Sequence, residues 1–229
     1  MSALLVGACA LAGALLAPAE AAASRVLHER PPRGDELLAG FRPRDRRLLL
    51  CGLASAALFA LTAATWGWSW ALVPHLFLIA VLVVMAAVDF EHYLIPNRLV
   101  FPSLGVSAAL LVLASALDGS PERLGPAALG AVAYYVGLFL THLVNPAGMG
   151  FGDVKLALLL GLFLGWSAQG YVDSLYLVLL ALLVGSALGS VVGVVLLVRR
   201  GRGAHYPFGP WLALGTVVVL VGAELLRSS

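Results

Sequence analysis

Two aspartates carry the chemistry that this 229-residue chain is equipped for. Asp153 closes the string "NPAGMGFGD" (145–153), in which Gly148, Gly150 and Gly152 lead into it, and the apolar run "VKLALLLGLFLGW" follows. Asp89 ends the apolar run "FLIAVLVVMAAV" (77–88) and opens "DFEHYLIPNRLV" (89–100). Carboxylates in or beside a hydrophobic segment are expensive, which makes both functional candidates. Two carboxyl groups a few ångströms apart do not easily both ionise, so they share a proton. Such a pair can hydrolyse a peptide bond. The charged member takes a proton from water, and the neutral member donates one to the carbonyl oxygen. Glycine suits the neighbourhood, because it admits positive φ and close backbone approach. A peptide lying extended against Gly150 and Gly152 would meet no side chains there.

The elements that position these residues follow from composition. Hydrophobic residues make up 61% of the chain and charged ones only 11%, with a mean hydropathy of +0.98. Soluble domains carry about 25% charged residues, so the chain belongs in a bilayer. Apolar runs long enough to span recur at 3–19, 48–66, 70–88, 99–117, 126–144, 154–168, 174–198 and 207–223. They are continuous, without the alternation of barrel strands, so helices are expected. The expected fold is an all-α polytopic membrane protein, a bundle of about eight transmembrane helices forming a single domain over 1–229. Residues 1–22 end in small residues but lack a basic start, and read as a retained first helix rather than a cleaved signal. Cys9 and Cys51 lie in apolar runs without ligand spacing and read as packing residues, so no disulfide or metal site is expected.

Charge sets the orientation. Seven arginines fall between helices one and two, in a basic loop at 23–47. Arg98 follows helix three, Lys155 opens helix six, and Arg199, Arg200 and Arg202 follow helix seven. Of the 14 Lys and Arg, only Arg123 and Arg227 fall on the opposite side. The positive-inside rule places the basic connections in the cytoplasm and both termini outside. Trp66, Trp68, Trp70 and Trp166 read as an interfacial belt on the outer side. A basic strip beside a membrane is explained by topology and anionic lipid, so no nucleic-acid partner is expected.

Asp89 and Asp153 then share the cytoplasmic face. From Val154 to Ala168, helix six would be about 22 Å long against a hydrocarbon core of about 30 Å. If it reaches the outer surface, the glycine segment must dip below the inner one, where irregular backbone survives only beside protein or water. The bland readings are distinct. A GxGD string alone also fits a tight helix–helix turn, and Asp89 alone also fits a helix cap or a partner for Arg98.

Three segments together resemble the type IV prepilin peptidases, which are GxGD-type membrane aspartic proteases. They are "AAVDFEHYLIPNRLVFPSL" (86–104), in which Ile95, Pro96 and Asn97 follow Asp89, "GMGFGDVKLALLLGLFLGW" (148–166), and "YPFGPWLALG" (206–215) with Pro207 and Gly209. The resemblance implies an inner-membrane enzyme that uses Asp89 and Asp153 to remove the basic leader of prepilins and pseudopilins, after a glycine, on the cytoplasmic side. Many members carry two CxxC pairs in an insertion after helix one, linked to methylation of the new N-terminus. The segment 23–47 has no cysteine, so cleavage without methylation, and without a cofactor, is the expectation.

Other residues read more simply. Lys155 is two places from Asp153, points elsewhere on a helix, and reads as snorkelling to lipid headgroups rather than tuning the acid. Glu91 and His92 read as solvated loop residues, and His75, His142 and His205 as packing or interfacial ones. Gly185, Gly189 and Gly193 form a small-residue face for helix packing. Pro207 and Pro210 suit the start of helix eight. Two competing functions remain open: a proton-coupled transporter using Asp89 and Asp153 as a relay, and a catalytically silent assembly scaffold.

Overall fold

The computed structural model describes residues 2–26, 46–146, 149–200 and 207–228. Among them are eight α-helices and no strand. They are α1 (Ser2–Val26), α2 (Arg46–Trp66), α3 (Leu72–His92), α4 (Asn97–Asp118), α5 (Leu124–Val144), α6 (Phe151–Trp166), α7 (Tyr171–Arg200) and α8 (Gly209–Ser228). The chain is an all-α polytopic membrane protein, as its composition requires. Six helices are long and apolar enough to cross a membrane: α2, α3, α4, α5 with the turn before it, α7 and α8. In α1 the apolar part, Ala3–Leu16, is shorter.

The chain divides into two compact units. One comprises Met1–Glu91 and Pro96–Asp118, the other His92–Ile95 and Gly119–Ser229. In the first, α1 packs along α2. A Cβ on Gly13 would stand 2.7 Å from the Ser55 carbonyl oxygen, so only glycine permits the approach. Cys9 and Cys51 are buried and not joined in a disulfide, as packing residues should be. The carbonyl of Pro96 accepts from the Leu99 and Val100 N–H groups at 3.0 and 3.2 Å, which starts α4. Proline at this point disfavours helix in the residue before it, so α3 and α4 stay separate.

In the second unit, α6 packs on α5, α7 and α8. Leu156, Ala157, Leu159, Leu160, Phe163 and Leu164 are all fully buried. A helix that is apolar all round belongs in such an interior position. Lipid tails are as apolar as these side chains, so close packing rather than escape from water holds the helices together. The small residues show it. Gly130 on α5 meets Gly165 on α6, and Gly215 on α8 meets Gly185 on α7, where an added Cβ would be 2.7 Å from the Gly185 Cα. Gly185 and Gly189 receive Leu212 and Phe208, which confirms their reading as a packing face.

Two expectations change. Helix α6 starts at Phe151, three residues before the expected Val154, because the glycine segment ends at Gly150 as the helix cap. At 16 residues it is still shorter than the six long helices. Trp166, expected in an interfacial belt, is buried instead, with the Arg123 guanidinium 5.0 Å over its ring. Trp68 and Trp70 are exposed as a belt requires, while Trp66 stacks on His75 at 3.9 Å.

Candidate active site

Asp153 sits three residues into α6, after the cap at Gly150. Its N–H donates to the Gly150 carbonyl at 3.1 Å. The first turn of a helix presents unsatisfied N–H groups and the positive end of the macrodipole, so a carboxylate is favoured there. Yet this one is 6% exposed. A buried carboxylate at the head of an apolar helix is an acid kept from bulk water.

The glycines divide the work. Gly150 has φ −66° and ψ 138°, an extended conformation open to any residue. An added Cβ there would meet Asp153 Oδ2 at 3.7 Å, an ordinary contact. The carboxylate therefore turns back over Gly150, and among the described residues nothing stands closer to that position. Gly152 differs, because its bare face is filled by Ile95. The positive-φ glycines among the described residues are Gly67 and Gly119, far along the chain from this loop. Gly148 lies outside the described residues.

A brace holds the loop from the α5 side. The His142 ring Nδ1 lies 2.9 Å from the Met149 carbonyl, which makes that nitrogen the donor. The His142 ring also meets Phe151, with centroids 5.4 Å apart, and Phe139 reaches the same ring edge-on. Lys155 places its ammonium 4.7 Å over the other component of this cluster, the Phe151 ring. That is a cation–π contact within its own helix start. Sequence spacing offered no sign of the His142 bond, because the two partners are on either side of a turn.

Ile95 connects this loop to the other motif. It belongs to the segment that Asp89 opens, and in the second unit it packs on Gly152. Between them Tyr93 has φ 54°, the one non-glycine residue with positive φ among those described. A left-handed residue just past a helix end is a common way to stop it, although glycine usually takes that place. Asp89 itself, in the last turn of α3, is 5% exposed. It belongs to the first unit with Pro96, which is half-buried, and Asn97, which is exposed. In the second unit Pro207 is half-buried and Gly209, the first residue of α8, is buried. No group of three or more His, Cys, Asp or Glu among the described residues is placed to hold a metal ion.

Residues 76–194 match the type IV leader peptidase family. That range includes Asp89 and Asp153 and leaves out Pro207 and Gly209. The prepilin leader peptidase/N-methyltransferase of Aeromonas hydrophila is 34% identical over 191 residues, which cover 81% of this chain and 62% of that protein. The protein so named from Pseudomonas aeruginosa is 33% identical over 189 residues, 80% of this chain and 61% of that one. For Neisseria gonorrhoeae the figures are 33% over 183 residues, 78% and 58%. The chain thus spans about three-fifths of the length of these relatives. No solved structure matches it.

Proposed function

We infer that this chain, which belongs to the type IV leader peptidase family, is an aspartic endopeptidase of the bacterial cytoplasmic membrane. Its substrates are prepilins or pseudopilins, cut after a glycine at the cytoplasmic face to release a short basic leader. Asp89 and Asp153 are the catalytic pair. The observation that carries this reading is Asp153, a buried carboxylate at the head of an apolar helix behind an uncrowded glycine. Membership of a peptidase family gives that carboxylate its task, and Ile95, from the segment that Asp89 opens, packs on Gly152.

The steps balance with water alone. The ionised aspartate takes one proton from water while the oxygen adds to the peptide carbonyl carbon. The neutral aspartate gives its proton to the carbonyl oxygen, leaving a tetrahedral diol. Collapse re-forms a C=O bond, breaks the C–N bond and passes a proton to the departing amine. Gly150 gives the extended peptide its closest approach, since no side chain stands there. The charge partition supports a cytoplasmic site. Both cations left on the other side are engaged, Arg123 over Trp166 and Arg227 with Asp173 at 3.0 Å. Lipid surrounds the chain, and no nucleic acid is involved.

The test is cleavage of a prepilin by the purified full chain in lipid, read by mass. Release of the leader by the wild type, and none by Asp89→Asn or Asp153→Asn, supports the assignment. Proton-coupled flux into vesicles without cleavage would instead indicate a transporter, and neither activity a scaffold.

A further inference from the structure

The connection from α5 to α6 runs from Asn145 to Gly150, and its glycines leave few side chains to hold it. The helix ends close themselves. The Asn145 N–H donates to the Thr141 carbonyl at 3.1 Å, and the Asp153 N–H to the Gly150 carbonyl at 3.1 Å. Neither bond reaches Met149. His142, half-buried on the last turn of α5, does. A histidine there would ordinarily serve the negative end of the helix dipole by facing the last carbonyls of its own helix. Its Nδ1 instead donates across the turn to the Met149 carbonyl at 2.9 Å, and its ring meets Phe151 with centroids 5.4 Å apart. Phe139, earlier on α5, meets Phe151 edge-on at 6.5 Å. One side chain thus grips the residue on each side of Gly150, by the carbonyl before it and the ring after it. Gly150 itself stays exposed, and its carbonyl caps the turn that carries Asp153.

We propose that His142 is a positioning residue for the turn that carries Asp153. The Met149 carbonyl and the Gly150 nitrogen belong to one planar peptide group, so a bond to that carbonyl fixes the plane from which Gly150 continues. Glycine samples more of φ/ψ space than other residues, and a glycine-rich loop therefore needs an outside anchor to keep one conformation. An imidazole can be that anchor, because it donates at Nδ1 whenever the ring carries its proton there. Held in this way, the start of α6 presents Asp153 in one place for proton exchange. This rests on Asp153 acting as proposed above.

The experiment uses the full chain in lipid. Carbon-13 in methionine carbonyls and nitrogen-15 in glycine mark a single peptide group, because Met149–Gly150 is the only Met–Gly pair in the sequence. His142→Phe keeps a ring against Phe151 and loses the donor, whereas the amide nitrogen of His142→Asn replaces Nδ1. The Met149 carbonyl signal in solid-state NMR should move upfield in His142→Phe and return in His142→Asn. Prepilin cleavage should show kcat lowered on the order of 10-fold to 100-fold in His142→Phe, with KM within about threefold and most of kcat recovered in His142→Asn. Thermal melting checks that each variant remains folded. In the wild type, nitrogen-15 in histidine rings should couple through space to that carbonyl carbon, and no coupling overturns the proposal whether or not the variants fold. A moved signal with kcat unchanged overturns it too, as does a kcat loss in His142→Asn as deep as in His142→Phe once the signal has returned. A wild type that shows the coupling but cuts no prepilin refutes the peptidase reading and the positioning role together, while the bond itself stands.

Discussion

Ile95 lies on Gly152, so that a Cβ added to the glycine would stand 3.0 Å from the Ile95 Cβ and 3.3 Å from its backbone nitrogen. A contact this close makes the glycine a requirement of packing. Gly152→Ala must push Ile95 aside, at a cost of about 1–3 kcal/mol for overpacking. The expected result is a lower melting temperature and reduced cleavage. Ile95→Gly should restore part of both in the double variant, because it removes the Cβ that stands closest. Additive losses in the double-mutant cycle would show that the two residues do not interact.

Gly150 should behave differently. Its backbone suits any residue, and an added methyl would make ordinary contacts, with Asp153 Oδ2 at 3.7 Å and the Gly152 nitrogen at 4.0 Å. Gly150→Ala is expected to melt within a few degrees of the wild type while KM for a prepilin rises several-fold. Unchanged kinetics would remove Gly150 from the substrate path.

The proposed catalytic pair predicts that each aspartate is indispensable. Asp89→Asn and Asp153→Asn should each lower cleavage by at least about 100-fold while the chain still inserts and melts cooperatively. Asp153→Glu should fail as well, since one methylene displaces the acid by about an ångström. Processing at wild-type rate by either Asn variant would end the aspartic mechanism.

At the other end of the second unit, Arg227 bonds the Ser167 carbonyl and pairs with Asp173, whose carboxylate also accepts from the Gln169 N–H at 2.9 Å. The pair is partly exposed, at 25% and 34%, so it is worth about 0–1 kcal/mol. Arg227→Ala should cleave normally and melt only slightly earlier. A single cysteine at Gln169 should react with an impermeant reagent from outside, and one at Asn145 only from the cytoplasm, in a chain lacking Cys9 and Cys51. The reverse pattern would invert the topology drawn from the charges.

The absence of cysteine from 23–47 predicts cleavage without methylation. Purified chain incubated with a prepilin and S-adenosylmethionine should leave a free amine on the mature N-terminus. A methyl group added by this chain alone, detected by mass, would refute that. The relatives from Aeromonas and Pseudomonas carry both activities in their names and are longer than the matched region.

What the sequence determined by itself follows from the bilayer. A span needs about 20 apolar residues and connections collect the charges. The positions of the eight helices among the described residues and the placing of Asp89 and Asp153 at helix ends could therefore be read directly. Which face of a helix is buried could not. In a bilayer the lipid-facing and protein-facing sides are both apolar, so no polar stripe marks the inner one. Only the tertiary structure shows most of α6 buried, with a half-buried stripe at Lys155, Leu158 and Leu162, while Val172, Leu183 and Val191 on α7 are exposed. For the same reason Trp166 and Trp68 look alike in sequence and differ completely in burial. The bond from His142 to Met149 and the seat of Ile95 on Gly152 are contacts between residues distant in sequence or across a turn. They depend on how each helix is rotated about its axis, and close packing at the small residues decides that rotation.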